Sequence, residues 1–242
     1  MRASALEFRL RVVIVVAIIL LGFWSPWAGA HRISLLEWLA LELSRLGAVS
    51  FAAATPIVIV LATLIAAVAV WLRVWGAAYL GAGVVNSGDM HAGAVMADGP
   101  YRFVRNPLYL GSWCMVTAIA FAMPVSGAAM TIVLVPLFYL RLILGEEKFL
   151  SGQLGEPYQA YLRAVPRLIP LVRSKVTPGG GRPRWTNAVL SELNPIGVLL
   201  VTAVLSWWYD NALVTRAFLV SFGVSLVLRA LLVRNASGAP AE

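Results

Sequence analysis

Six stretches of this chain, 12–28, 49–72, 108–125, 127–144, 195–209 and 212–233, are apolar almost throughout. A helix needs roughly 18–25 predominantly apolar residues to cross a bilayer. Lipid offers no partner to an exposed backbone N–H or C=O, so each stretch must satisfy its own hydrogen bonds. The sequence therefore predicts an all-α, polytopic integral membrane protein with about six transmembrane helices. The overall make-up agrees: 60% of the residues are hydrophobic and 12% charged, and the mean hydropathy is +0.83, whereas a soluble domain is about half apolar.

A net charge of +8 could mean a nucleic-acid partner, but in a membrane protein basic residues collect on the cytoplasmic face. With the N-terminus inside, only Arg32, Arg45 and Arg216 fall outside and every other Lys and Arg falls inside. This orientation, in the cytoplasmic (inner) membrane, is the one expected, and a nucleic-acid partner is not. Cys114 lies alone in an apolar run, which rules out an intrachain disulfide and a cysteine-cluster metal site. His31 and His91 fall far apart along the chain, so no protein metal centre is expected.

The first run, with basic residues before it and "AGA" at 28–30 after it, imitates a cleavable leader. Trp24, Pro26 and Trp27 instead resemble an aromatic belt at a membrane exit, and retention as an anchor is the reading adopted. The second run ends in Trp71, Arg73 and Trp75, an interfacial signature. It hands the chain to a glycine-rich loop over 76–107. Runs three and four are separated only by "MPVSG", a tight turn, so they form a helical hairpin that returns 141–150 to the side of 101–109.

Downstream, Tyr158, Tyr161, Leu162, Val165, Leu168 and Ile169 recur at near-helical spacing among charges, as in an amphipathic segment at the interface. "TPGGGRPR" at 177–184 has the composition of a flexible basic linker. The expected organisation is an N-terminal anchor and external loop over 1–45, a core over 46–172, the linker over 173–188, and a C-terminal transmembrane hairpin and tail over 189–242.

The chemistry concentrates where the hairpin begins and ends. Asn is a favoured N-cap and Pro a favoured first helical residue, so Asn106-Pro107 opens a helix, as Asn194-Pro195 does further on. Arg102 and Arg105 just precede the first of these starts. A helix N-terminus with its unpaired N–H groups suits an anionic ligand, and lipid phosphates are the other target for such arginines. Glu146 and Glu147 follow the fourth apolar run directly, where an ionised carboxylate is costly without a partner. They are either a solvated pair beside Arg141 and Lys148, or one of them faces across the hairpin toward Tyr101, Arg105 and Asn106. In the second case a pocket cationic at one end and carboxylate at the other suits a zwitterionic, nucleoside-bearing cofactor.

"GPYRFVRNPLYLG", followed about 35 residues later by "GEEKFLSGQLGEPYQAYLRAVPRLIP", resembles the paired signature of the isoprenylcysteine carboxyl methyltransferase family and the related phospholipid methyltransferases, over about residues 50–170. The resemblance implies an integral membrane methyltransferase that binds S-adenosyl-L-methionine at the cytoplasmic face, with a membrane lipid or lipophilic small molecule as acceptor. It implies cofactor contacts at Asn86, Gly93, Ala94, Val95, Met96, Tyr101, Asn106, Tyr109, Glu146 and Glu147. No acid or base is assigned, and positioning falls to Arg105, Asn106 and Arg141. Where the family often has histidine before the proline, this chain has Asn106, which removes any histidine base. Eukaryotic members place an arginine four residues before the cofactor glutamate; here that position is Leu142, with Arg141 beside it. One residue turns a helical side chain by about 100°, so prenylcysteine specificity does not carry over from the motif.

Two rival readings fit part of the pattern. One is an NADPH-dependent membrane reductase of the sterol-reductase type. The other is a non-catalytic membrane or transport protein whose arginines anchor lipid.

Overall fold

Each apolar run forms a helix in the computed structural model, which describes residues 3–24, 33–47, 49–80 and 97–237, with side chains to residue 231. In order these are α1 (Ala5–Arg9), α2 (Arg11–Trp24), α3 (Leu35–Arg45), α4 (Phe51–Leu80), a 3-10 turn (Gly99–Arg102), α5 (Pro107–Ala120), α6 (Val125–Leu154), α7 (Glu156–Ala164), α8 (Trp185–Ser191), α9 (Leu193–Val204), a second 3-10 turn (Leu205–Trp208) and α10 (Asn211–Ser237). Among the described residues the only strand-like pairing is a single bridge, Ser34 to Pro124.

Three of these helices, α4, α6 and the Asn211–Leu231 part of α10, are long and apolar enough to cross a membrane. The count becomes four if Trp185–Ser191 and Leu193–Trp208, bent by 68° at Glu192, form one span. Among the described residues the expectation of six is thus met by a helix at each of the six runs but by fewer full-length spans, α2 and α5 extending over 14 residues each.

The central pillar is α4, against which α3, α5, α8 and α9 all pack. Its inward side is cut from small and branched residues, Ala54, Val58, Ala62, Ala66 and Ala69, which let neighbouring backbones approach closely, as in membrane helix packing. The helix continues to Leu80, so the loop expected from residue 76 starts later. The extra turn is held because Ala77 and Ala78 are buried against Ala188 of α8.

The hairpin expected from "MPVSG" is present: α5 and α6 pack side by side, joined through Phe121–Pro124. Its turn is tied to the entry of α3 by Leu35 N–H to the Met123 carbonyl (2.8 Å) and Leu36 N–H to the Phe121 carbonyl (3.0 Å). That α3 exists at all corrects the view of this region as loop. Ser34 and Glu37 form a capping box, each side chain bonding the other's backbone N–H, and "SLLE" carried that signal in the sequence. α2 crosses α6 where Gly22 meets Gly127.

At 30 residues, α6 is about 45 Å long at 1.5 Å per residue, well beyond a ~30 Å hydrocarbon layer. Its last turns, beyond the apolar run 127–144, carry Glu146 and Glu147 on the same continuous helix. The break comes at Gly155, whose φ of +61° ends α6 and turns the chain into the amphipathic α7.

Candidate active site

Asn106-Pro107 does open α5, with Pro107 at its first position. The Asn106 side chain, however, makes no cap bond; its amide nitrogen donates instead to the Arg167 carbonyl (3.1 Å). The reason is a segment laid alongside: Arg105 N–H donates to the Pro166 carbonyl (2.9 Å) and Leu171 N–H to the Phe103 carbonyl (2.9 Å). The two signature stretches are therefore stitched backbone to backbone. The twin at 194–195 sits differently again, since α9 starts at Leu193 and the Asn194 amide points to Met115 Sδ (3.7 Å).

The two glutamates divide. Arg105 Nη1 donates to Glu147 Oε1 (2.7 Å), and Arg167 donates to both Glu147 oxygens, the shortest contact being 2.7 Å. Glu147 is buried and both its oxygens are spent on guanidinium groups. This charge-assisted clamp locks the end of α6 onto the 103–105 and 166–171 strips, and it raises the Arg167 pKa through the hydrogen bond to Glu147. Glu146, by contrast, accepts from the Tyr109 hydroxyl (3.3 Å), one bond among the described residues for a group that can take about four.

Tyr101 completes the arrangement. Its carbonyl accepts from the Tyr161 hydroxyl (2.8 Å), which fixes the 3-10 turn, while its own hydroxyl is buried with no hydrogen-bond partner among the described residues. Burial, followed by the charge on Glu146, pushes the Tyr101 phenol well above its usual range, so it is a neutral donor at any ordinary pH. A buried hydroxyl without a partner costs roughly 1–3 kcal/mol, which marks a place where a ligand group would be welcome. Gly76 leaves that space open: a Cβ there would lie 2.9 Å from Leu108 and 3.5 Å from the Tyr101 hydroxyl.

Beside the Tyr109–Glu146 pair runs an apolar groove of about 500 Å³, lined by Tyr109, Trp113, Pro136, Tyr139, Leu168 and Ile169 among others. A polar end and an adjoining apolar trough thus share Tyr109 as their common wall.

Not every expected residue is here. Arg141 points away, donating to Glu7 (2.7 Å) and accepting from Ala3 N–H at its carbonyl (3.1 Å), so it fastens the N-terminal helix. Leu142, where an arginine stands in eukaryotic relatives of the signature, is fully buried in the packing between α2, α5 and α6. Arg102 donates to the Val176 carbonyl (3.2 Å). Asn86, Gly93, Ala94, Val95 and Met96 lie outside the described residues. Among the described residues no group of three or more His, Cys, Asp or Glu could hold a metal ion.

Three participants were not anticipated. Arg167 emerges as the second half of the Glu147 clamp; the proline on each side of "RLI" was its only signal. Asp98, buried, accepts from Gly180 N–H (3.2 Å) and Gly181 N–H (2.9 Å). Arg73 bridges Glu192 (2.6 and 3.1 Å) and also bonds Ser112.

Comparison with known proteins places these residues in context. Residues 57–156 match the family model described as phospholipid methyltransferase. Protein-S-isoprenylcysteine O-methyltransferase of Schizosaccharomyces pombe is 35% identical over 80 residues, 32% of this chain and 34% of that protein. The match thus spans about a third of the length of that curated relative. No solved structure matches. The family match takes in Tyr101, Arg105, Asn106, Tyr109, Glu146 and Glu147; it favours the methyltransferase reading over the reductase one.

Proposed function

We propose, from a chain whose residues 57–156 match the phospholipid methyltransferase family model, that it transfers a methyl group from S-adenosyl-L-methionine to a lipid or isoprenoid-like acceptor at the cytoplasmic membrane face. The observation that carries the reading is the half-buried pairing of Tyr109 with Glu146, near the Tyr101 hydroxyl that has no partner among the described residues, beside an apolar groove that Tyr109 lines.

The residues present fit that cofactor. Glu146 retains acceptor capacity for ribose hydroxyls or for a cationic group, and the Tyr101 hydroxyl offers a donor that none of the described residues uses. Asn86, Gly93, Ala94, Val95 and Met96 belong to the same proposal as contacts from the preceding loop. When bound, S-adenosyl-L-methionine supplies a methyl group on a sulfonium, with a neutral thioether as leaving group.

The protein's task is then alignment and exclusion of water. Tyr109 holds Glu146 in one orientation. The Arg105–Glu147–Arg167 clamp keeps the end of α6 from sliding against α5, and Asn106 fastens the 166–171 strip through the Arg167 carbonyl. The groove walls, Trp113, Tyr139 and Leu168 among them, admit an apolar acceptor sideways from lipid. No general base is required of these residues when the acceptor arrives as a carboxylate, thiolate or neutral amine. Six crossings, with the N-terminus and the Glu146 end of the hairpin inside, accord with the distribution of basic residues.

The test is ligand binding to the purified protein, using S-adenosylhomocysteine and NADPH, repeated with Glu146→Ala and Asn106→Ala. The wild-type chain binds the adenosyl ligand and Glu146→Ala loses that affinity while still unfolding near the parent temperature. Binding of NADPH with no response to S-adenosylhomocysteine sinks the proposal. Labelled methyl transfer into lipid extracts identifies the acceptor, since a carboxylate gives a base-labile ester and an amine does not.

A further inference from the structure

Between α7 and α8 the chain runs without a helix, and its "TPGGGRPR" has the composition of a flexible linker, yet the backbone is fastened along its length. Leu171 N–H donates to the Phe103 carbonyl (2.9 Å) and Arg184 N–H to the Ala78 carbonyl (2.8 Å). Between these ends Arg102 holds the Val176 carbonyl (3.2 Å), and the Asp98 carboxylate takes Gly180 N–H and Gly181 N–H. Residues 171–184 therefore lie as a strip against the core.

What the strip touches sets its level in the membrane. The large apolar residues that α4 exposes end at Trp71, which contacts Trp75 (ring centroids 5.0 Å), which in turn contacts Phe103 (6.0 Å). Tryptophans so placed mark the membrane–water interface. Phe103 carries one end of the strip, and Ala78, which carries the other, is only about 4.5 Å beyond Trp75 along the helix. Half-exposed Trp185 follows at once. The headgroup layer is roughly 5–8 Å thick on each side of the hydrocarbon, so the strip runs at its level.

Four cations stand on it, Arg173, Lys175, Arg182 and Arg184, all exposed, and none of their side chains has a hydrogen bond or ion pair among the described residues. The sequence has no Asp or Glu between Glu156 and Glu192. Asp98, the carboxylate bonded to the strip, is occupied by the two glycine amides. Segments outside the described residues add only Asp89 and Glu242, fewer acids than the strip has cations. Apolar side chains stand exposed among these charges, Ile169 at 81% and Val172 at 95%. Cations interleaved with exposed apolar and aromatic groups at headgroup level suit a surface of anionic lipid. A zwitterionic headgroup fits less well, because its ammonium finds no counter-charge on the strip.

We infer that residues 169–185 are a docking strip for anionic phospholipids, with the four cations on lipid phosphates and Ile169, Val172 and Trp185 in the acyl boundary beneath them. Ile169 and Pro170 also line the groove beside Tyr109, so the docked lipid stands next to the groove wall. The inference does not rest on the methyl-transfer reading.

The test uses the full chain in uncharged maltoside detergent, with phosphatidylglycerol and phosphatidylcholine of identical acyl chains counted as adducts by native mass spectrometry. An interfacial cation strengthens anionic-lipid binding by roughly fivefold, and part of this is screened. Phosphatidylglycerol therefore binds about tenfold or more tighter than phosphatidylcholine, and added salt shrinks the difference. Replacing Arg173, Lys175, Arg182 and Arg184 together by Gln brings phosphatidylglycerol to the level of phosphatidylcholine, with the unfolding temperature in detergent unchanged. Replacing the three arginines by Lys keeps most of the preference. Arg45→Gln with Arg216→Gln, two exposed arginines elsewhere, keeps all of it, and inorganic phosphate at the lipid concentration does not compete. Equal affinity of the parent chain for the two lipids, or a preference that survives the glutamine variant, overturns the inference. Competition by inorganic phosphate does so too, by making the strip a site for free anions.

Discussion

The C-terminal helices lie outside the family match, and what fastens them to the core can be tested through one ion pair. Glu192, at the bend between α8 and α9, has no exposed side-chain surface, and its partner Arg73 on α4 is 16% exposed. Two charged hydrogen bonds join them, Nε to Oε2 at 2.6 Å and Nη2 to Oε1 at 3.1 Å. Removing one member leaves the other charge buried without its counter-ion, which costs about 3–5 kcal/mol. At roughly 2–4 °C per kcal/mol for a chain of this size, Glu192→Leu or Arg73→Met alone lowers the unfolding temperature by roughly 6–20 °C. Replacing both removes the two desolvation costs together, so the double variant falls far short of the summed single losses. Ser112 is not stranded by the change, because its hydroxyl already donates to the Leu108 carbonyl (2.8 Å). Thermal unfolding in mild detergent, followed by tryptophan fluorescence, gives all four corners of the cycle. If the single losses simply add in the double variant, the pair does not interact and the C-terminal helices are not bolted to α4 at this point.

Two further outcomes follow from packing and burial. A Cβ at Gly127 would sit 1.8 Å from the Gly22 carbonyl oxygen, a backbone atom that cannot turn aside, so Gly127→Ala parts α2 from α6 and destabilises by about 1–3 kcal/mol; Gly152→Ala, with nothing within 4 Å, is neutral or gains up to ~1 kcal/mol, and equal melting of the two variants contradicts the close crossing. Burial, followed by the Glu147 carboxylate, pushes the Tyr158 phenol up to about 12 from 10.0, and because the raised pKa belongs to the folded state, its contribution to stability is complete below pH 10 and lost as pH climbs toward 12. Absorbance titration should show a tyrosinate component near pH 12 that disappears in Tyr158→Phe, and persistence of that component places Tyr158 outside the packed cluster with Tyr161 and Val165.

Helix positions were legible because apolar run length and the "MPVSG" turn are properties of contiguous sequence. Helix ends were less so: α4 runs to Leu80 because Ala188, more than a hundred residues away, covers its last turn, and no local pattern announces a distant neighbour. The α3 helix was legible in principle, through the Ser34–Glu37 capping box, but its modest apolarity beside long membrane runs hid it. Arg141 was drawn toward the site by sequence proximity to Glu146, and the structure turns it to Glu7 because five residues on a helix, at about 100° each, end well off the starting face.

Which of the two adjacent glutamates is available to a ligand was the point that spacing could not decide, and the physical reason is instructive. Glu146 and Glu147 differ by one step of helical rotation, and either could face the start of α5. What separates them is Arg167, which arrives from beyond the Gly155 turn and, with Arg105, saturates Glu147. With both of its oxygens held by guanidinium groups, Glu147 is neutralised in place and can rigidify the hairpin without demanding water. Glu146, one residue earlier, has among the described residues a single phenolic donor, from Tyr109. The pair therefore is neither the solvated surface couple nor two equivalent ligands. One carboxylate is consumed in holding the scaffold, and that expenditure is what allows its neighbour to stay open beside the buried hydroxyl of Tyr101, which has no partner among the described residues.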